Sequence, residues 1–172
     1  TVLCRATGDR VPRERTYGIE IVRLFGEAEY PEVARYGSAA INLLTGVHPA
    51  WAVKLGRLVA SESIDAIHVH DLPLVRTGLL VGDRYGIPVV ADLHENYPEA
   101  IRQWRKPHRG LDTVRNLPML LQRSFMPVAR YKRLERRLLP RAARVVTVSE
   151  EAAAHYRDDC RVESERIGVV SN

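Results

Sequence analysis

Residues 65–99 read DAIHVHDLPLVRTGLLVGDRYGIPVVADLHENYPE and predict a strand, a helix, a second strand and then a polar loop. The two strands, at 66–70 and 88–93, are short and rich in Val and Ile, as is typical of a parallel sheet that is buried on both faces. Between them, Asp71 suits the N-cap of a helix and Gly86 suits its end. The pattern therefore predicts a βαβ unit with a right-handed crossover.

Polar side chains follow both strands of this unit. His70 and Asp71 stand at the end of the first strand, and His94, Glu95 and Asn96 follow the second. In open parallel sheets, ligands bind beyond the carboxyl ends of the strands, where helix N-termini also point. We therefore expect any chemistry of this domain at that edge.

Other kinds of site have little support. The sequence contains neither GxGxxG nor GxxxxGK[ST], so a dinucleotide or P-loop cofactor is not expected. We take His68 and His70 to face opposite sides of their strand, which argues against a metal site made of His70, Asp71 and His94 and leaves His68 packed or hydrogen-bonded within the sheet. Ser149 lacks the GxSxG context of a nucleophile and is expected to cap a helix, at a place where it can also touch substrate.

Length and composition limit the class of protein. A chain of 172 residues suits one domain with a real hydrophobic core. Cys4 and Cys160 are far apart in sequence and show no metal-ligand spacing, which indicates a reducing compartment. No apolar run approaches the ~20 residues of a membrane span, and no signal peptide is recognised. We predict a soluble, cytoplasmic domain, and because a strand begins at the first residue we expect chain before Thr1.

The positive charge is concentrated in one segment. The net charge is +5, but residues 102–144 contain 13 Lys and Arg against only Asp112 and Glu135, while the rest of the chain carries 13 against 19 acids. The segment is thus +11 and the remainder −6. Such a basic segment either faces solvent or meets an anionic partner.

The remaining elements follow from periodicity and turn residues, and together they predict an α/β fold with a Rossmann-like parallel sheet and helices on both faces. Before the central unit we predict a strand at 1–5, a charged loop at 6–17, an edge or near-edge strand at 18–24 and helices at 38–44 and 49–62. After it we predict an amphipathic basic helix at 127–139, a strand at 144–148, a helix capped by Ser149 and a strand at 167–170.

Four stretches in order carry a resemblance to a known family: IDAIHVHDLPL, GIPVVADLHENYPE, LPRAARVVTVSEEAAAHY and ERIGVVSN. With the basic helix between the second and third, they resemble the N-terminal domain of family 4 retaining glycosyltransferases of the GT-B fold, over residues 18–172. Members of that family have two Rossmann-like domains, of which the N-terminal one holds the acceptor and the C-terminal one the nucleotide-sugar donor. The resemblance implies that residues 1–172 are the acceptor-side half of a GT-B enzyme. The family's first strand is then expected before Thr1 and its donor-binding domain after Asn172, so that this chain alone should not complete a catalytic cycle.

The resemblance also implies roles for particular residues. His94 matches the histidine near the donor sugar, where an imidazole can form a hydrogen bond with a sugar hydroxyl and orient the anomeric carbon. In such a retaining transfer the leaving diphosphate can take the acceptor proton, so no protein nucleophile and no cofactor are required. For Asp71 the capping role is expected to dominate, and Glu95 stays open between acceptor contact and a loop acid held by an arginine or a helix N-terminus. The expected substrate contacts are His70, Asp71, Glu95, Asn96, Tyr97 and Ser149.

Many relatives act on lipid-linked acceptors and dock on anionic membranes through basic and apolar residues of this domain. The resemblance therefore implies a peripheral position at the inner face of the membrane, with each basic residue contributing about 1 kcal/mol near an anionic surface. The alternative is that these arginines are simply solvated. The expected docking residues are Trp104, Arg123, Phe125, Arg130, Arg133, Arg136 and Arg137.

Two other functions are weighed against this one. Dense arginine on a helix suits a nucleic-acid-binding module, but no reader motif is present and the polar clusters at the strand ends are left unexplained. Another GT-B enzyme, such as a sugar-nucleotide epimerase or a phosphorylase-like protein, would share the fold. A second Rossmann-like domain with a paired-glutamate motif would distinguish the glycosyltransferase from both.

Overall fold

The computed structural model describes most of the chain, in two compact units of residues 1–64 and 65–172. The described residues are 1–6, 11–24, 31–94, 98–99 and 128–171. Of the predicted site residues, those that lie outside the described ones are Glu95, Asn96, Tyr97, Trp104, Arg123 and Phe125. Within the described parts of the chain, no helix is long and apolar enough to span a bilayer.

The first unit contains a three-stranded sheet. Its strands are β1 (Val2–Arg5), β2 (Arg13–Thr16) and β3 (Ile19–Leu24), in the order β1-β3-β2. β1 is parallel to β3, whereas β2 forms an antiparallel hairpin with it through Tyr17 and Gly18, both at positive φ. The prediction of a loop over 6–17 was therefore wrong at Arg13–Thr16, whereas the predicted edge or near-edge strand at 18–24 is confirmed as β3, which lies next to both edge strands. The residues of β2 are polar and do not alternate as is typical of a strand, so the sequence did not indicate one. A tight turn places β2 beside its partner β3.

Two helices complete this unit, α1 (Glu32–Thr45) and α2 (Pro49–Ser61). α2 begins where predicted and buries Ala50, Leu58 and Val59. The predicted start at residue 38 was wrong, and α1 begins at Glu32. Its first turns carry exposed apolar residues and lack the buried stripe by which the start of a helix is recognised in a sequence.

The second unit contains a four-stranded, all-parallel sheet in the order β4-β5-β6-β7, with helices between its strands. Its strands are β4 (Ile67–His70), β5 (Val89–Leu93), β6 (Arg144–Thr147) and β7 (Ile167–Val169). Its helices are α3 (Leu72–Tyr85), α4 (Val128–Leu138) and α5 (Glu150–Asp158), with short 3-10 turns at Leu139–Arg141 and Ser164–Arg166. This architecture confirms the predicted Rossmann-like α/β class.

Two glycines bring α3 close to the sheet. A Cβ atom on Gly78 would lie 2.4 Å from Cγ2 of Val69, and one on Gly82 would lie 2.7 Å from the backbone oxygen of Ile87. Only residues without a side chain fit at this distance. α3 then ends at Gly86, which is in the left-handed conformation with φ of 69°, as predicted.

The register of β4 and β5 decides which side chains share a face. In β4, Ile67 and Val69 are buried, while His68 and His70 alternate with them and are exposed. His70 is paired with Asp92 of β5. Because Val69 packs on α3, the histidines lie on the opposite face of the sheet from that helix.

Candidate active site

Three histidines and one aspartate gather on this face, at the carboxyl ends of β4 and β5. They are His68 and His70 from β4, Asp92 from β5 and His94 directly after β5. Residues two apart in a strand point to the same side of a sheet. The expectation that His68 and His70 face opposite sides was therefore wrong, and the imidazole rings of the two lie stacked with centroids 5.2 Å apart.

All three imidazoles approach a single oxygen, Oδ2 of Asp92. The Nε2 atom of His68 lies 2.9 Å from it, that of His94 3.1 Å and that of His70 3.6 Å. The histidine side chains are 54%, 39% and 66% exposed respectively, whereas the Asp92 side chain is only 8% exposed. A buried carboxylate thus lies next to three accessible imidazoles. We call the three histidines together with Asp92 the histidine cluster.

The hydrogen bonds of Asp92 are incomplete within the described residues. His68 forms a hydrogen bond with Oδ2, and the contact of His70 at 3.6 Å is too long for one. The other oxygen, Oδ1, is buried and has no hydrogen-bonding partner among the described residues. Taking a carboxylate out of water without full pairing is costly, so this cluster is built for something other than stability alone.

Imidazoles at such an edge can donate or accept hydrogen bonds and can carry protons. The hydrogen bond to Asp92 fixes the orientation of the His68 ring, and the exposed edges of the three imidazoles remain open to a ligand. Sequence reasoning named His70 and His94 but missed Asp92, and it took His68 as a packed or hydrogen-bonded residue of the sheet and not as part of the site. The usable signal was the i, i+2 spacing of Asp92 and His94 at the end of one strand, which matches that of His68 and His70 in the neighbouring strand.

Asp71 precedes α3 at the N-cap position, but its side chain forms no capping hydrogen bond. Pro73 stands in the first turn and has no N–H to donate, and the N–H of Leu74 donates to the backbone oxygen of Asp71 at 3.3 Å. The predicted capping role of the Asp71 carboxylate was therefore wrong. Asp71 has a φ of 63°, outside the range typical of an N-cap. A substrate contact of Asp71 stays a prediction.

Ser149 caps α5 as predicted. Its hydroxyl oxygen accepts a hydrogen bond from the backbone N–H of Ala152 at 3.2 Å. Hydrogen bonds to its own backbone and to Ser149 hold the pKa of Glu151 below the ordinary value, as suits an acid in a first helical turn. A substrate contact of Ser149 stays a prediction.

A second group of ionisable side chains links α4 and α5, and sequence reasoning missed it. Glu135 is 1% exposed, and its Oε2 lies 3.4 Å from Nε2 of His155, whose Nδ1 lies 2.8 Å from Asp159. Burial raises the pKa of Glu135, raises that of Cys160 to about 12 and raises that of Tyr156. The predicted apolar face of α4 does bury Tyr131 and Leu138, and Glu135 is an ionisable residue buried on the same face.

The outer face of α4 is basic. Lys132, Arg133, Arg136 and Arg137 are exposed, and Arg130 is half-buried. Within the part of the chain that the structure describes, none of these five side chains lies within 4.0 Å of an acidic group. We call this set the α4 basic face.

A depression of about 350 Å³ lies elsewhere in the second unit, between α5 and β7. Its lining residues are Glu150, Ala153, Arg157, Ser164, Ile167 and Val169, and the histidine cluster is separate from it. Its polar lining consists of one carboxylate, one guanidinium and the hydroxyl of Ser164, without an imidazole, so the histidine cluster is the stronger candidate site.

Comparison with known families identifies the class of protein. The chain matches the family model described as "Glycosyl transferase 4-like domain" over residues 1–172. It therefore belongs to this family, as its sequence resemblance implied, and is a domain of a glycosyltransferase with a sugar donor and an acceptor as its partners. No significant match was found among curated proteins.

Proposed function

We propose that this chain is the acceptor-side domain of an enzyme that transfers a sugar from a nucleotide-sugar donor to an acceptor, with retention at the anomeric carbon. The observation that supports this most directly is the position of the histidine cluster in a glycosyltransferase domain: it lies at the carboxyl edge of the parallel sheet, where α/β enzymes bind their ligands. The donor is assigned to a C-terminal Rossmann-like domain of the GT-B type.

His94 is the residue proposed to contact the reacting sugar. Its Nε2 is 3.1 Å from the buried Asp92 carboxylate, and its side chain is 39% exposed, so one edge is held while another can meet a sugar hydroxyl. His70 lies stacked against it, with ring centroids 5.1 Å apart, and offers a second contact. The leaving diphosphate takes the acceptor proton, so a protein nucleophile is not needed. Glu95, Asn96, Tyr97 and Ser149 remain proposed substrate contacts.

The test uses the complete natural protein that contains this chain, with a panel of nucleotide sugars and of soluble and lipid-linked acceptors. Products are identified by mass, and the anomeric configuration by NMR. The variant His94→Gln should lower kcat/KM by about 100-fold, since a positioning contact at the reacting centre is lost. The control His48→Gln removes a histidine from the first unit, where it contacts Ser38, and should stay within about twofold.

Three outcomes would contradict the proposal. They are transfer with inversion, conversion of the donor sugar to an epimer without any acceptor, and equal activity of His94→Gln and the wild type. The second outcome would establish the epimerase alternative.

We also propose that the α4 basic face docks on an anionic membrane surface. Five cationic side chains on one helix, without acidic partners among the described residues, form a patch that favours anionic lipid. The apolar residues proposed to enter the headgroup region, Trp104 and Phe125, lie outside the described residues, so this proposal depends on the charge of α4 alone.

Vesicle sedimentation at two salt concentrations tests it, with phosphatidylglycerol-containing and pure phosphatidylcholine vesicles. The variant replaces Arg130, Arg133, Arg136 and Arg137 by Gln, and a control replaces four basic residues elsewhere, Arg15, Arg57, Arg84 and Arg161. We expect salt-sensitive binding to the anionic vesicles only, lost in the α4 variant and retained in the control. Equal losses in both would show that only net charge matters, and no binding at all would make the α4 basic face a solvated surface.

A further inference from the structure

The histidine cluster has the donor set of a metal site, contrary to the expectation drawn from the sequence. We propose that His68, His70 and Asp92 bind a divalent transition-metal cation of the zinc class. One ligand atom from each of these three side chains lies within 4.8 Å of those of the other two. Two imidazoles and one carboxylate are a common ligand set for zinc, and for non-haem iron as well.

The distances fit a tetrahedral ion. With metal–ligand bonds of about 2.1 Å, neighbouring donor atoms around tetrahedral zinc lie about 3.4 Å apart. Oδ2 of Asp92 is 2.9 Å from Nε2 of His68 and 3.6 Å from that of His70, so the observed separations lie on either side of this value. The rings are stacked, and ligation requires a rotation of His70, whose side chain is 66% exposed and has room for it.

The state of the Asp92 carboxylate is the second observation. Its side chain is 92% buried, its Oδ2 faces three imidazole nitrogens, and its Oδ1 has no partner among the described residues. Hydrogen bonding alone leaves this carboxylate partly unpaired. A cation bound by Oδ2 and by the lone pairs of the nearby imidazole nitrogens would offset the cost of burying the carboxylate charge.

His94 lies at the border of this site. Its Nε2 is 3.1 Å from Oδ2 of Asp92, and its ring is stacked on His70. The three ligands leave at least one coordination position of a zinc-class ion open, which an oxygen of water, a hydroxyl or a phosphate can occupy. The metal would thus lie beside His94, but the inference depends on the geometry of the cluster and not on sugar transfer.

The other group of possible ligands is less suited to a metal. The ligand atoms of Glu135, His155 and Cys160 also lie within 4.8 Å of one another. Glu135 and Cys160 are buried, however, and burial keeps Cys160 a thiol, whereas a metal binds the thiolate. The exposed histidine cluster is therefore the site to which an ion has access.

The test is a titration of chelator-stripped protein with Co²⁺, followed by visible d–d absorption and by calorimetry, and then displacement by Zn²⁺. We expect one ion per chain and, in His68→Gln and Asp92→Asn, binding weakened at least tenfold. The controls His48→Gln and Asp83→Asn remove the same residue types outside the cluster and should bind as the wild type does. Circular dichroism checks that each variant is folded, and His68→Gln changes an exposed side chain, so it keeps the test valid even if Asp92→Asn unfolds.

The absence of a Co²⁺ band in the wild type would overturn the proposal. Unchanged binding in folded His68→Gln would overturn it as well, because the ion would then be held elsewhere. Metal binding is measured without any sugar substrate, so a failure of the metal proposal can be distinguished from a failure of the proposed transferase activity.

Discussion

The Nε2 atom of His94 lies 3.1 Å from Oδ2 of Asp92, two residues earlier in the chain. Asp92 belongs to the rigid strand β5 and is buried, whereas His94 follows the strand and is partly exposed. A residue at the start of a loop is thus positioned by a carboxylate within the sheet. Such support is what allows a loop side chain to hold a ligand in a fixed orientation.

We therefore predict that Asp92→Asn lowers sugar transfer by about 10- to 100-fold while the fold is retained, because the imidazoles lose the charge that orients them. The change is nearly isosteric. Asp83→Asn is the matched control, since Asp83 is an exposed acid that pairs with Arg141 at the surface and such pairs contribute little. Steady-state kinetics measure the effect, and equal activity of the two variants would contradict the positioning role.

Glu135 should make the stability of the domain depend on pH. Burial raises its pKa in the folded state above the ordinary value of 4.5, while His155, Lys132 and Arg136 oppose the shift. The folded state therefore keeps a proton that the unfolded chain has already lost. The stabilisation is complete below pH 4.5 and is lost as the pH rises through the folded-state pKa, at about 1.4 kcal/mol for each unit of difference.

Urea unfolding at a series of pH values measures this effect. We expect the free energy of unfolding to fall less steeply above pH 4.5 in Glu135→Gln than in the wild type. Glu163→Gln, which changes an exposed acid next to Arg166, should leave the slope as it is. A slope that is the same in all three proteins would show that the pKa of Glu135 is not raised.

Gly82→Ala should weaken the packing of α3 on the sheet. The new Cβ would lie 2.6 Å from Cγ2 of Val89 and 2.7 Å from the backbone oxygen of Ile87, which cannot move aside. Overpacking costs about 1–3 kcal/mol, against a gain in helix propensity of about 1 kcal/mol. We expect net destabilisation in urea. Gly37→Ala in α1 is the control, because nothing lies within 4 Å of its Cβ, and it should stabilise by up to about 1 kcal/mol.

Ser149→Ala should cost about 1 kcal/mol of stability, since the N–H of Ala152 loses its acceptor. Ser149→Asp retains an acceptor at the N-cap and should recover most of this loss. Ser63→Ala, at an exposed position outside the helices, should have little effect. Thermal unfolding of the three variants measures the differences, and an unaltered melting temperature in Ser149→Ala would contradict the capping role.

Local sequence signals predicted the second unit well. Runs of Val and Ile bounded by turn residues gave its parallel strands, and Gly86 and Ser149 marked the ends of helices through backbone conformation and hydrogen bonding that depend on near neighbours. The first unit was harder. β2 is a polar strand whose existence depends on pairing with β3, and α1 begins without a buried stripe, so neither has a local signature.

The sequence by itself determined the α/β class and the placement of His70 and His94 at strand ends, because these depend on element order and short-range periodicity, and its motifs resemble the glycosyltransferase family to which the chain belongs. Only the tertiary structure decided that Asp92 is the centre of the cluster, that His68 joins it and that Glu135 is buried. Those facts follow from strand register and from packing between distant segments. In β4 and β5 the pairing of His70 with Asp92 sets every other contact of the cluster, and no local pattern specifies that pairing.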